Sequence, residues 1–287
     1  MIQMSNFSWK KNIVSIALLA VGLLLIVSQL VSDLGAYLHS FGLKIEHPKV
    51  YEYKAYDDLL RAKVSHGLVD YQSLKKSGAA DKAVRELEHI SPDLLESPAE
   101  RLTFWLNAYN LLSIKNILDK YPIDSLQELG QSPVLKKFTI GGKLYSPVEI
   151  EREQIRPLLK KDNFRAVFLM CPGARGYPAL FNRALRPDTL EKDMQQATIA
   201  FVVDPLNNQW DADDKAFRIS RFFRWNEALF TSKYGNPFAL VNAFSPPESR
   251  IVLDDPGTKY EYIPEFNWLL NDTSLEQRLG MQKSRQP

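Results

Sequence analysis

The period on which apolar residues recur changes along this chain, and each period predicts a different element. From Ile13 to Val31 there is no period: 19 residues read IVSIALLAVGLLLIVSQLV, uncharged, with Ser15, Ser28 and Gln29 as the only polar members. As a helix, this run would span roughly 28 Å, close to the hydrocarbon thickness of a bilayer. Leu59, Leu60, Val64 and Leu68 then recur at helical spacing within Tyr51–Tyr71, as do Ala83, Val84, Leu87 and Ile90 within Ala79–Ile90. Gly67 and the string Val69-Asp70-Tyr71 mark a stop or turn.

Ser97-Pro98-Ala99-Glu100 is a helix start. Ser97 can cap, Pro98 suits the first helical position, and Glu100 completes a capping box. The helix that follows is strongly apolar through Trp105, Tyr109, Leu112 and Ile114, and ends before Tyr121-Pro122. Lys136–Leu144 alternates around Gly141-Gly142, a hairpin pattern with a two-residue turn. Ser146-Pro147-Val148-Glu149 opens another helix, reaching about Leu159, and Ala166–Met170 is a short apolar run, either a strand or a buried helix end. Pro187–Phe201 and Asn226–Tyr234 read as helices and Phe217–Ile219 as a strand. The expected architecture is α+β: a predominantly helical single domain over 51–280 with a small β-sheet, preceded by one N-terminal transmembrane helix over 13–31. A short N-terminus (1–12), a juxtamembrane connector (32–50) and a frayed tail (281–287) complete it.

Composition narrows the function classes. Of 287 residues, 45% are hydrophobic and 24% charged, which excludes wholesale disorder. One cysteine excludes an internal disulfide framework and a multi-thiolate zinc site, and four histidines leave little for a histidine-rich metal centre. Lys10 and Lys11 are the only charged side chains before Asp33, so the remainder is electrically neutral and gives no bulk reason to expect nucleic acid. The same two lysines would hold a short N-terminus in the cytoplasm, with the main domain extracytoplasmic, or periplasmic in a Gram-negative cell. Phosphate-loop, HExxH, GxSxG and dinucleotide-binding patterns are lacking, and no cofactor is implied.

Phe104-Trp105-Leu106-Asn107-Ala108-Tyr109-Asn110 closely resembles the hallmark of the DUF547 family, a domain family of unknown function. Ordered matches extend the resemblance over roughly 56–271: Gly67 with Val69-Asp70-Tyr71, Tyr121-Pro122, the Lys136–Leu144 hairpin, Ile150-Glu151 with Arg156-Pro157, and the apolar run into Cys171. Ile219-Ser220 with Phe223 and Trp225, and then Tyr262, Phe266, Trp268, Leu269 and Asn271, close the series. The chain also departs from the family's pattern. Arg152 and Ala166 stand where many relatives carry histidine, and Tyr177 stands where a second cysteine is common. If the family is catalytic through those groups, this member looks degenerate.

Six residues carry the candidate chemistry. Asn107 and Asn110 share a helix face; they could orient a ligand or, equally, bond a neighbouring loop. Cys171 is the only possible thiolate nucleophile, with Arg175 able to lower its pKa and His66 as a possible base, or else a buried, inert cysteine or a ligand contact. Glu151 is singled out by the resemblance as an acceptor toward Arg175 or a ligand, although its offset of five from Arg156 puts the two on different faces of an α-helix. Arg218, Arg221 and Arg224, interleaved with aromatics, could bind an anion, while Asp211, Asp213 and Asp214 read as a solvated loop.

Two functions follow. The first is a membrane-anchored extracytoplasmic binding or structural domain, partnered by the membrane through its N-terminal helix and by an envelope protein or small ligand. The second is a cysteine-dependent hydrolase or transferase acting on amide-type bonds through Cys171 and His66.

Overall fold

The computed structural model describes residues 53–279 apart from 131–134, 160, 248–249, 251–256 and 276–277. All of them lie within one unit, Glu52–Pro287. Helix α1 (Lys54–Lys63) buries Ala55, Tyr56, Leu59 and Leu60 along one face. Helical spacing continues past its end to Val64 and Leu68, yet the chain turns there into a hairpin of β1 (Val64–Ser65) and β2 (Leu68–Val69). His66 (φ 50°) and Gly67 (φ 78°) both take left-handed conformations, which suit a two-residue hairpin turn and terminate the helix. The Asp70 carboxylate then caps α2 (Tyr71–Ser77), accepting from the Ser73 N–H at 3.0 Å. Helix α3 (Ala79–Glu88) follows and packs on α1.

Helix α4 (Pro98–Lys120) is the spine. Its capping box is formed as expected, with the Glu100 N–H donating to Ser97 Oγ at 3.1 Å and the Ser97 N–H to Glu100 Oε2 at 2.9 Å. From Leu102 to Ile114 every residue is buried. A helix apolar all round lies inside a protein or inside a membrane, and here α2, α3, the 150–155 turn and the 126–129 turn enclose it.

Strands β3 (Phe138–Ile140) and β4 (Lys143–Tyr145) pair with Ile140 opposite Lys143, closing the expected Gly141-Gly142 turn. Ser146 caps a single helical turn, Pro147–Glu149, which runs directly into a π-helical turn, Ile150–Ile155. The apolar run 166–170 falls mostly within a 3₁₀ segment, Lys161–Leu169, instead of a strand. It packs against α5 (Leu190–Val202). Strand β5 (Asn208–Asp211) is antiparallel to β6 (Ala216–Ile219). Strand β7 (Lys259–Tyr262) joins β6 in parallel, Phe217 opposite Tyr260. Between β6 and β7 lie α6 (Arg221–Trp225), α7 (Glu227–Tyr234) and α8 (Pro237–Phe244). Phe168 sits at the centre of this half, with the rings of Phe201, Phe222, Phe223 and Phe230 all within 6.0 Å of its own. The single small sheet expected from the sequence is three small sheets among the described residues, of two, two and three strands.

The expected transmembrane helix, 13–31, lies outside the described residues. Among the described residues no helix is long and apolar enough to cross a membrane. Even α4, at 23 residues, carries Glu100, Arg101, Lys115, Asp119 and Lys120 near its ends and is enclosed by protein. The fold is therefore corrected to an α+β domain with no membrane-crossing helix among its described residues. The membrane as partner, the single-pass topology and the extracytoplasmic placement depended on that segment and are corrected with it.

Candidate functional site

Asn107, Asn110, Ser113 and Asn116 recur every third residue on α4, so they form a polar line along a buried helix. Asn110 bridges two backbone groups of the loop above it. Its Nδ2 donates to the Leu169 carbonyl at 2.9 Å, and its Oδ1 accepts from the Cys171 N–H at 2.9 Å. Asn107 does the same to a single residue, donating to the Leu185 carbonyl and accepting from the Leu185 N–H, each at 3.0 Å. Both amides thus dock loops that have no sheet to satisfy their backbone. Ser113 bonds back to the Tyr109 carbonyl.

Cys171 is 5% exposed. Its Sγ is 3.8 Å from the Leu169 carbonyl, and burial drives the thiol pKa far above its ordinary value, with no nearby cation offsetting it. Tyr56, Tyr71 and Tyr109 surround it closely enough for a thiolate to disfavour their ionisation. The expected base is elsewhere. His66 is exposed at the β1–β2 turn, with Nδ1 2.9 Å from Ser65 Oγ. Arg175 does not serve the thiol either: its N–H donates to the Leu269 carbonyl at 2.8 Å and its Nε to the Leu270 carbonyl at 3.3 Å. His66 and Arg175 do share a cleft of about 270 Å³, together with Tyr177. The loop after Cys171 is pressed onto α4. Gly173 (φ 113°) stands where a Cβ would strike the Ile117 side chain, and its carbonyl accepts from the Asn271 N–H at 2.9 Å. Asn271 in turn accepts from the Tyr71 hydroxyl at 2.9 Å and donates to the Gly67 carbonyl at 3.1 Å. One residue therefore gathers segments about 200 positions apart.

Glu151 lies in the π-helical turn. There the Arg156 N–H bonds the Glu151 carbonyl, five residues back, and the Arg156 side chain returns to the carboxylate. Both side-chain bonds, from Nε at 3.0 Å and Nη2 at 2.6 Å, fall on Oε1. Among the described residues Oε2 receives none. Glu151 opens on a second cleft of about 390 Å³, walled by Tyr109, Tyr177 and Trp268 and floored by Ser113 and Asn116. Glu151 is the only formally charged residue among those described as lining it. Burial, with the Glu151 charge in support, raises Tyr109 and lifts Tyr177 to about 12, so both phenols are neutral donors at physiological pH. Among the expected site residues only Glu151 lines this cleft; Asn107 and Asn110 do not. Trp268 was named only as part of the family resemblance and not as a site residue, and Gln127, Ser113 and Asn116 were not singled out. The three-residue recurrence of polar residues in an otherwise apolar helix was the available signal for the last two.

The arginine cluster divides. Arg218 is held by Asp211, Asp214 and Glu261 at 2.7–2.9 Å. Arg224 lies 5.9 Å over the Tyr262 ring. Arg221 alone lines a third cleft, of about 810 Å³, beside Trp268. Asp211 also accepts from the N–H groups of Asp213 and Asp214, so the acidic loop is closed on itself and on Arg218. Among the described residues no group of acidic, histidine and cysteine side chains could hold a metal ion.

Residues 93–202 match the sequence model of a family described as "Protein of unknown function, DUF547". This region contains α4 with its polar line, the π turn and the Cys171 loop. No curated protein and no solved structure matches the chain.

Neither function expected from the sequence stands. The membrane-anchored role rested on a segment outside the described residues, among which no helix is long and apolar enough to cross a membrane. The cysteine hydrolase needs a thiolate and a base, and Sγ is enclosed while His66 bonds Ser65.

Proposed function

We propose that this domain binds a small organic cation, an ammonium group carried on an apolar or aromatic body, in the cleft at Glu151. The observation that carries the reading is the lining itself: one carboxylate, with an oxygen that takes no hydrogen bond from the described residues, amid the rings of Tyr109, Tyr177 and Trp268. Aromatic faces and an anion both attract a cation. At about 390 Å³ the cleft lies in the range of small-molecule sites. Of the three positions where the resemblance implies histidine or cysteine, one lies in this cleft. Tyr177, at a position where relatives often carry cysteine, is a cleft wall, and Ala166, where they often carry histidine, is fully buried. Arg152, at the other histidine position, is exposed and paired to Glu153.

Calorimetric titration with tryptamine and benzylamine, against indole-3-acetate and phenylacetate, tests it. The amines bind in a way that depends on Glu151, and any binding of the acids does not. Glu151→Gln weakens amine binding by about ten-fold or more, as expected for loss of a charge-assisted hydrogen bond of about 1.5–3 kcal/mol. Arg156→Gln, which removes the competing cation, does not weaken it. Acid binding that Glu151→Gln weakens as much as amine binding, or amine binding unchanged in Glu151→Gln, would overturn the reading.

A further inference from the structure

We infer that the Glu151 cleft is one end of a bipolar groove that takes a short peptide-like zwitterion, with its ammonium at Glu151 and its carboxylate at Arg221. The ammonium half rests on the reading above; the carboxylate half is independent of it.

The cleft at Glu151 and the larger one at Arg221 share two lining residues, Gln127 and Trp268, so the indole and the carboxamide are walls of both. Opposite charges therefore stand on either side of one aromatic divide. Arg221 is the member of its cluster left available. Arg218 is held by three carboxylates and Arg224 by an aromatic ring, whereas the Arg221 side chain makes no hydrogen bond or ion pair among the described residues. A guanidinium presents a planar fork of donors that matches a carboxylate. Glu265 also lines this cleft, but it is exposed and not ion-paired to Arg221, so water screens its charge.

The stretch between the two charges suits a peptide chain. Phe266 and Trp268 both line the Arg221 cleft, with ring centroids 4.7 Å apart, and Trp268 continues into the Glu151 cleft. At the junction, the exposed Gln127 carboxamide has no partner among the described residues. A carboxamide donates and accepts at once, as a peptide group does. Apolar side chains would lie on the rings, with a peptide group at Gln127.

The test is calorimetric titration of the full chain with alanine- and phenylalanine-containing peptides of two to five residues. Each peptide is made with free termini, N-acetylated, and C-amidated. One length binds best, because two fixed charges select one span. C-amidation weakens that peptide about ten-fold in the unaltered protein and not at all in Arg221→Gln. N-acetylation weakens it comparably in the unaltered protein and not at all in Glu151→Gln. Glu265→Gln, which removes the other carboxylate lining the Arg221 cleft, does not weaken binding. Arg221 makes no internal bond, so Arg221→Gln keeps the melting temperature, which is checked first. If C-amidation has no effect while N-acetylation still weakens binding, the bipolar groove is overturned and the Glu151 reading survives. If N-acetylation has no effect, both fall. Binding of a neutral oligosaccharide such as N-acetylglucosamine trimer, undiminished in both variants, also overturns the proposal.

Discussion

Arg156 bonds Glu151 three times over, once through the backbone and twice through the side chain. The backbone N–H reaches the carbonyl five residues back, the bond that defines a π turn. In an α-helix, residues five apart lie about 140° from each other round the axis, and the ion pair would not form along the helix. Both partners are partly exposed, so the pair itself adds little to stability, on the order of 0–1 kcal/mol. Its consequence is positional: the guanidinium occupies one carboxylate oxygen and leaves the other for the cleft.

Asn110→Ala leaves the Cys171 N–H without its partner and the Leu169 carbonyl with only the weak thiol contact of Cys171, both in a buried loop. Each unsatisfied buried group costs about 1–3 kcal/mol, so the variant is destabilised by about 2–4 kcal/mol in urea denaturation. Asn110→Asp is no better, because a carboxylate cannot donate to Leu169. Asn107→Ala behaves similarly through Leu185.

Cys171 is expected to be inert in the folded protein. Burial raises its thiol pKa and encloses Sγ. At pH 8 a thiol-specific disulfide reagent labels the native chain far more slowly than the chain in denaturant, and labelling tracks unfolding. Fast native labelling, followed by mass spectrometry, would contradict this. Cys171→Ala keeps amine binding in the Glu151 cleft.

The two glycines of the β3–β4 turn differ in what surrounds them. Both have left-handed backbones, φ 54° at Gly141 and φ 78° at Gly142. A Cβ at Gly141 would also overlap the Ile90 carbonyl, while at Gly142 nothing lies within 4 Å. Gly142→Ala costs about 1 kcal/mol, the price of a left-handed alanine. Gly141→Ala costs distinctly more, because backbone must shift. Comparing the two melting temperatures separates the contact from the backbone strain.

Glu149 carries a pH dependence. A hydrogen bond from Lys137, reinforced by the Ser146 N–H and hydroxyl, lowers its carboxyl from 4.5 to about 2. Its folded value lies below its unfolded one. The stabilisation is therefore full above about pH 4.5 and is lost as the pH falls through about 2. Denaturation of Glu149→Gln against the unaltered protein shows a gap at pH 7 that closes progressively below pH 4.5. A gap unchanged down to pH 2 would show that the carboxylate contributes nothing through its charge.

Local chemistry was enough to read several features directly from the chain. Ser97 and Glu100 build their capping box within one turn, and Gly141-Gly142 closes its hairpin because only those φ values do so cheaply. The apolar surround of α4 announced a buried helix, and Asn107 and Asn110 on it were already recognisable as amides that must find partners. Which partners they found was a matter of tertiary structure. Leu185 and the Leu169–Cys171 loop come from segments with no local signal pointing back to α4. The parallel β6–β7 pair, closed across three intervening helices, is likewise invisible to a reading by period. The site depended most on the fold. A five-residue offset joined Glu151 to Arg156 only because the helix opened into a π turn, and Trp268 reached Gln127 and Tyr177 only because the C-terminal segment lay across both. Short-range hydrogen bonds and backbone sterics act within a few residues and are legible in sequence. A cleft is the space left between segments distant in the chain, and only their packing decides what faces into it.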